Sequence, residues 1–425
     1  MSAAPPSGGV TPTERLTCRC CIVGGGPAGM MLGLLFASAG IDVVVLEKHA
    51  DFLRDFRGDT IHPSTLEVMH ELGLLDDFLR RPHQELTRLD AQVGDTALTI
   101  ADFSHLPTRC RFIAMMPQWD FLDFLAANAR HYPSFALRME TGVTELLRDG
   151  ERVTGVVAQT PRGSLTVRAD LVVGADGRGS TVREQAGLPK VDLGAPMDAL
   201  WMRIGKGPGD PAQTLGRIEP GRILALIDRG DYWQCAFVIP KGGFDALRAR
   251  GLPAFRDELA RLAPSLRARV GDLRDWSDIK LLTVRVDRLR RWHRPGLLCI
   301  GDAAHAMSPI GGVGINLAIQ DAVAAGNRLA RPLRAGVLTE ADLHAVQRRR
   351  ELPTRLTQGA QLLIQNRVIR GVLDTAGGAP FRLPLALRLL RRWPWLSRIL
   401  GRIGGIGFRP EHVETAPVKT TSAPS

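Results

Sequence analysis

The sequence predicts an α/β protein carrying an inserted antiparallel sheet and a helical C-terminal segment. Three observations lead there. Strand, glycine-rich loop, helix and strand follow one another between residues 17 and 49; the region from about 190 to 290 changes to strand-like alternation; and the stretch after Phe381 sets arginines and apolar residues at helical spacing. With 425 residues, 44% of them hydrophobic, the chain can build one large core or two domains that share an interface.

From the N-terminus, "MSAAPPSGGVTPTE" is small, polar and rich in proline and glycine, so residues 1–16 are expected to form a disordered tail. It lacks the apolar segment behind a basic start that a secretion signal requires. No run of about 18 apolar residues is there to span a bilayer. Six cysteines in so long a chain make no disulfide framework, and a cytoplasmic location is expected. Cys18, Cys20 and Cys21 crowd one strand without a histidine nearby and read as packed strand residues; no metal is expected.

"LTCRCCIVGGG" is a buried strand entering Gly24-x-Gly26-x-x-Gly29, "PAGMMLGLLFASAG" is helical, and "IDVVVLEKH" is a second strand ending at Glu47. The glycines have separate tasks: Gly24 makes the tight turn, Gly26 admits a pyrophosphate, and Gly29 lets helix and strand pack closely. The helix N-terminus, with Pro27 and Ala28 in its first turn, offers unpaired N–H groups to phosphate. Glu47 falls about 20 residues past the loop, where an acid accepts ribose hydroxyls. This is a dinucleotide-binding, Rossmann-like signature; FAD and NAD both fit it.

Two later motifs bear on that choice. "ADLVVGADGRGSTVREQAG" runs from a strand through Asp176 into a helix start, and "PGLLCIGDAAHAMSP" is a strand ending at Asp302. A carboxylate past a strand end holds a sugar-like hydroxyl, while Pro309, Gly311, Gly312 and Gly314 let a flat ring approach the backbone. The helix that follows points its positive end at that ring, where a reduced flavin carries negative charge. No second fingerprint and no redox cysteine pair point to a separate NAD domain.

Across roughly residues 17–410, the fingerprint, the Asp-Gly motif and the Gly-Asp motif together resemble the single-component flavoprotein monooxygenases, the group that includes para-hydroxybenzoate hydroxylase and the ubiquinone-pathway hydroxylases. The resemblance implies FAD as cofactor, held by Gly24, Gly26, Pro27, Ala28, Gly29, Glu47, Lys48, Arg57, Gln118, Asp176 and Asp302, with Gly312, Gly314, Ile315 and Asn316 beside the isoalloxazine. NAD(P)H is then a visiting cosubstrate, and O₂ activated at flavin C4a is delivered to an electron-rich carbon of a hydrophobic aromatic or prenylated molecule. An isoprenoid-chain reductase of the same fold and a non-catalytic flavin-containing ligand carrier share these loops. The halogenase signature W-x-W-x-I-P is not met: Cys235 and Phe237 stand in its tryptophan positions.

The expected domains are an FAD-binding part at 17–190 and 291–365, with some of the substrate roof near 85–115, and a substrate-binding β-sheet at 191–290. Basic amphipathic helices follow at 366–410, then a tail at 411–425. Trp201, Arg203, Tyr232, Trp233, Phe237 and Pro309 are the pocket candidates. No catalytic residue is assigned beyond the flavin loop at Pro309, Gly314, Ile315 and Asn316, because an activated substrate requires no acid/base pair; His305 reads as a structural hydrogen-bonder.

Lysine and arginine number 55 against 44 acids, a net charge of +11. Nine arginines and one acid lie between Gln365 and Pro410. With no recognition motif and few aromatics, nucleic acid is not the expected partner. At about 100° per residue, Arg388, Arg391, Arg392, Arg398 and Arg402 fall on one side, with Leu389, Leu390, Trp393, Leu396 and Leu400 mostly opposite. Two readings stay open: a helix pair kinked at Pro394 and packed on the core, or a peripheral membrane contact through 381–408.

Overall fold

A computed structural model describes residues 13–53, 60–210, 215–377 and 385–415. The chain passes back and forth between two sheets. In chain order, β1 (Thr13–Val23) and β2 (Val43–Leu46) belong to the first sheet, β3 (Arg88–Val93) and β4 (Thr96–Asp102) to the second, and β5 (Phe135–Arg138) and β6 (Gly163–Gly174) to the first. β7 (Met197–Gly205), β8 (Leu215–Glu219), β9 (Arg222–Asp228), β10 (Tyr232–Pro240) and β11 (Lys280–Leu282) complete the second sheet, and β12 (Leu297–Cys299) returns to the first.

The parallel core of the first, eight-stranded sheet runs β12-β6-β1-β2-β5, and antiparallel strands at 142–149, 152–160 and 293–294 extend it. Parallel strands are covered on both faces, which is why Cys20–Val23 of β1 and all of β2 are apolar and buried. Cys18, Cys20 and Cys21 are free thiols buried in β1, where burial pushes each thiol pKa up, that of Cys18 to about 12. The helix α1 (Pro27–Ser38) is buried on all sides from Ala28 to Ser38. Thr13–Leu16, expected in the tail, instead pair with Ser164–Val167 at the head of β1, because β6 is long enough to meet them.

The second sheet runs β11-β7-β10-β9-β8-β3-β4, antiparallel except where β8 meets β3. Period-two alternation gives it two faces. On one, Leu200, Met202, Leu224, Trp233, Cys235 and Phe237 form a core with Phe255, Leu259 and Leu262 of an amphipathic helix (Leu252–Leu262). On the other, directly opposed residues make a row across six strands: Leu98, Ala91, Gly216, Ala225, Ala236 and Trp201. The middle of that row is a floor of small side chains.

Helix α2 (Pro63–Glu71) and α3 (Gln118–Ala129) lie on the first part of the chain. With the Leu252–Leu262 helix taken as α4, the later helices are α5 (Gly314–Ala335), α6 (Glu340–Ile364), α7 (Leu385–Arg392) and α8 (Leu396–Gly405). Leu387 and Leu390 of α7 pack with Val93 and Leu98, joined by Ile218, Leu396 and Leu400, so α7 and α8 lie over part of the small-residue side of the second sheet. Pro394 falls between two separate helices. The stretch from Arg409 to Thr415, expected partly as tail, is a strap: Glu411 is buried, Val413 N–H donates to Glu71 at 2.7 Å, and Glu414 N–H donates to Asn327 at 2.9 Å.

Candidate active site

The fingerprint loop separates its glycines by what surrounds them. A Cβ on Gly24 would meet the Ala175 carbonyl oxygen at 2.4 Å, and its φ of +107° lies in glycine territory. One on Gly29 would meet the Gly24 carbonyl oxygen at 2.0 Å. One on Gly26 would meet nothing within 4 Å. Protein therefore fills the first and third positions, while the second faces open space at the start of α1, a helix with no side-chain cap. Such a cradle fits a pyrophosphate, held by uncapped N–H groups and the helix dipole. Glu47 closes the loop from β2, accepting from the Gly25 N–H at 2.9 Å and the His49 N–H at 3.0 Å.

The Asp-Gly and Gly-Asp motifs end the adjacent strands β6 and β12 and meet each other. Arg178 Nε donates to Asp302 Oδ2 at 3.1 Å, both side chains about one-third exposed at the mouth. Buried Arg183 donates to the Ala303 carbonyl at 3.3 Å and the Arg178 carbonyl at 2.7 Å, tying the two loops together. Asp176, expected among the cofactor contacts, is engaged within its own loop. Its carboxylate faces inward, taking Ser180 Oγ at 2.5 Å and the Val182 N–H at 3.2 Å, so it orders the loop. Burial raises its pKa despite those donors.

Past Asp302 the chain turns through Pro309 to Gly312, with φ of +75° at Gly311 and +64° at Gly312, and enters α5 with no side-chain cap. A Cβ on Gly312 would strike Thr60 Oγ1 at 2.3 Å, and Thr60 Oγ1 donates to the Gly312 carbonyl at 2.9 Å. Asn316 does not present its side-chain oxygen to a ring: Oδ1 accepts from the His62 N–H at 3.1 Å and Thr65 Oγ1 at 2.7 Å. The backbone from Gly312 to Ile315, with the uncapped helix end, is what this loop offers a flat ligand.

A buried set of charges anchors the loop from behind. Asp321 accepts from the Gly301 N–H at 3.0 Å and Arg350 Nε at 3.1 Å, and its Oδ2 lies 2.5 Å from His305 Nε2. Burial alone would raise the Asp321 pKa, but His305 and Arg350 beside it hold the carboxyl below its ordinary value. Arg350 continues to Glu411 at 3.2 Å, and Arg349 reaches the same carboxylate at 2.6 Å. None of Asp321, Arg350 and Glu411 was anticipated. The readable signal was an acid within the apolar stretch "GINLAIQDAVAA", which folding buries only with a partner. His305 is 1% exposed and committed to Asp321, which accords with a structural role.

The remaining expectations divide. Arg57 lies outside the described residues. Gln118 opens α3 and is half-buried, and Lys48 is exposed beyond β2. Trp201 stands in the small-residue row opposite Ala236. Arg203 lies over the Tyr232 ring at 3.6 Å on the same face, at an open end of the sheet. Trp233 and Phe237 do not join them: alternation turns both to the α4 core, where Phe237 meets Phe255 edge-on at 5.3 Å. Trp393 is 46% exposed where the chain leaves α7, just before Pro394.

The fold and these loops define a dinucleotide-binding flavoprotein. The chain belongs to the FAD-binding domain family, whose model matches residues 17–360. It is similar to a 6-methylpretetramide 4-monooxygenase from Streptomyces rimosus, 36% identical over 386 residues, which covers 90% of this chain and 91% of that one. A dialkyldecalin synthase from Streptomyces rugosporus is 29% identical over 73% of this chain, which spans 64% of that relative's length. Among solved structures, a mutant of PqsL from P. aeruginosa superposes with a TM-score of 0.72 at 23% identity, covering 84% of this chain and 97% of that one, a likeness of fold. The chain is an FAD-dependent monooxygenase.

Proposed function

We propose that the protein uses NAD(P)H and O₂ to hydroxylate or epoxidise a hydrophobic aromatic or prenylated small molecule. The observation that carries this reading is the arrangement of one open cradle at Gly26 after β1, and one carboxylate at Asp302 and one uncapped helix end at α5 after β12, two strands flanking β6 in the same sheet, which suits the successive parts of a single FAD. When bound, FAD supplies the electron acceptor for NAD(P)H and the centre that activates O₂. The chain's own residues do the rest. The N–H groups of α1 hold the pyrophosphate. Asp302, oriented by Arg178, accepts ribityl hydroxyls. The α5 N-terminus stabilises negative charge at the pyrimidine edge of the ring. The Pro309–Gly312 turn sets the ring's position, and the row from Ala91 to Trp201 leaves room for a flat, apolar substrate against it, with α7 and α8 excluding water.

The relative named for 6-methylpretetramide supports an aromatic substrate. A relative is named a dialkyldecalin synthase, so oxygenation of the substrate and turnover without oxygenation are the two outcomes to distinguish. Substrate-stimulated NAD(P)H oxidation with oxygen uptake, screened over aromatic and isoprenoid candidates, separates the two. The monooxygenase reading expects an oxygen atom from ¹⁸O₂ in the product; a saturated product formed under strict anaerobiosis identifies a reductase, and product formation without NAD(P)H identifies a synthase.

A further inference from the structure

The basic segment after residue 384 has its inner half accounted for. Leu387 and Leu390 are sunk against Val93 and Leu98, and Ser397, Gly401 and Gly405 face inward; a Cβ on Gly401 would meet the Asp102 carbonyl oxygen at 1.9 Å. Its outer half is not an ordinary solvated face. Leu385, Trp393, Trp395 and Ile399 are 62%, 46%, 57% and 46% exposed. Around them Arg388, Arg391, Arg392, Arg398 and Arg402 are all exposed, and among the described residues none of their guanidiniums has an ion-pair or hydrogen-bond partner. No acid occurs from Leu385 to Pro410.

Two features select the occupant. Trp393 and Trp395 flank Pro394 at the corner between α7 and α8, and indoles settle at the boundary between hydrocarbon and water, where the ring is buried and the N–H stays wet. Unpaired arginines of one sign match a surface of lipid phosphates, which offers negative charge everywhere and demands no complementary pocket. We propose that the α7–α8 corner is a peripheral docking surface for an anionic bilayer, with Trp393, Trp395 and Ile399 entering the headgroup layer and the five arginines meeting lipid phosphate. The same two helices lie over the β3–β4 end of the small-residue side of the second sheet, so docking brings that end of the proposed substrate region against the bilayer.

The test uses the FAD-loaded protein with vesicles of phosphatidylcholine alone or mixed with phosphatidylglycerol. Binding is read by co-sedimentation at low and high salt, and depth by quenching of tryptophan fluorescence with brominated lipid; neither readout depends on turnover. Binding is expected only to the anionic vesicles and to weaken with salt. R391Q/R392Q/R398Q should lower the partition coefficient about tenfold or more, and Trp393→Ala with Trp395→Ala should abolish the bromolipid quenching, while both variants keep the flavin absorbance of a folded holoprotein. Equal binding to both vesicle types, or anionic binding unchanged by the arginine substitutions, overturns the proposal. So does the absence of binding to anionic vesicles, whether or not the corner instead mediates arginine-dependent dimerisation or capture of an acidic polypeptide.

Discussion

Gly26 and Gly29 lie three residues apart and respond differently to a single methyl group. Gly26→Ala has open space around its new Cβ, so thermal stability without FAD should stay near wild type while the FAD dissociation constant rises by about tenfold or more, about 1.4 kcal/mol. Gly29→Ala drives a Cβ into the Gly24 carbonyl and should cost about 1–3 kcal/mol of stability as well as cofactor. Calorimetry of the apoprotein beside flavin titration distinguishes the two. Asp302→Ala removes an acceptor from the mouth and should weaken FAD retention about tenfold to a hundredfold, the worth of a hydrogen bond to a charged group. His62 gives a pH dependence. Its Nδ1 donates to the Gly404 carbonyl at 2.7 Å and its Nε2 is buried without a partner, so burial lowers its pKa from 6.5 to about 4. The unfolded chain binds a proton here below about pH 6.5 and the folded one does not, so this contribution is whole above that pH and falls as pH drops toward 4. The loss is about 3 kcal/mol. Urea unfolding across this window should show the slope in the wild type and a flatter dependence in His62→Gln.

Among elements, the strap and α6 stand behind the loop that opens α5. Asp321→Asn should leave Arg350 and His305 facing a neutral amide in a buried place, at a cost of about 3–5 kcal/mol, and the Gly-Asp loop should then release flavin. Glu411→Gln, nearer the surface and still accepting from two arginines, should do the same to a smaller degree; melting temperature and the flavin-to-protein absorbance ratio report both. The sequence made the strands and loops of the first sheet legible because glycine spacing and apolar runs are local properties. The buried anchors were not legible, since the partners of Asp321 come from residues 301, 305 and 350, and a single acid in an apolar helix names no partner. Nor was the face of each roof strand: "YWQCAFVIP" is apolar at nearly every position, so alternation could not tell Phe237, under α4, from Ala236, on the open side. The amphipathic C-terminal pattern was visible, but its phase reset at Pro394.

On the scale of the whole molecule, the candidate cofactor site joins three segments, around residues 24–47, 176–183 and 301–316, contributed by neighbouring strands of one sheet. A ligand that spans all three binds the native state alone. FAD at one hundred times its dissociation constant should therefore add about 2.7 kcal/mol and raise the melting temperature by several degrees, an increase that scanning calorimetry at graded FAD concentrations would follow and that Gly26→Ala would shrink. β1 carries a further consequence. It leaves the ribosome well before its partner, because one whole edge of it pairs with β6, about 150 residues later. At roughly 5–20 residues per second, that edge waits on the order of ten seconds or more for its partner, with three cysteines and an apolar strand exposed to whatever else is nearby. The loop that opens α5 and the strap behind it are made later still. Cofactor loading is thus a closing step of biogenesis, and yield should depend on how well that early strand is kept from pairing elsewhere.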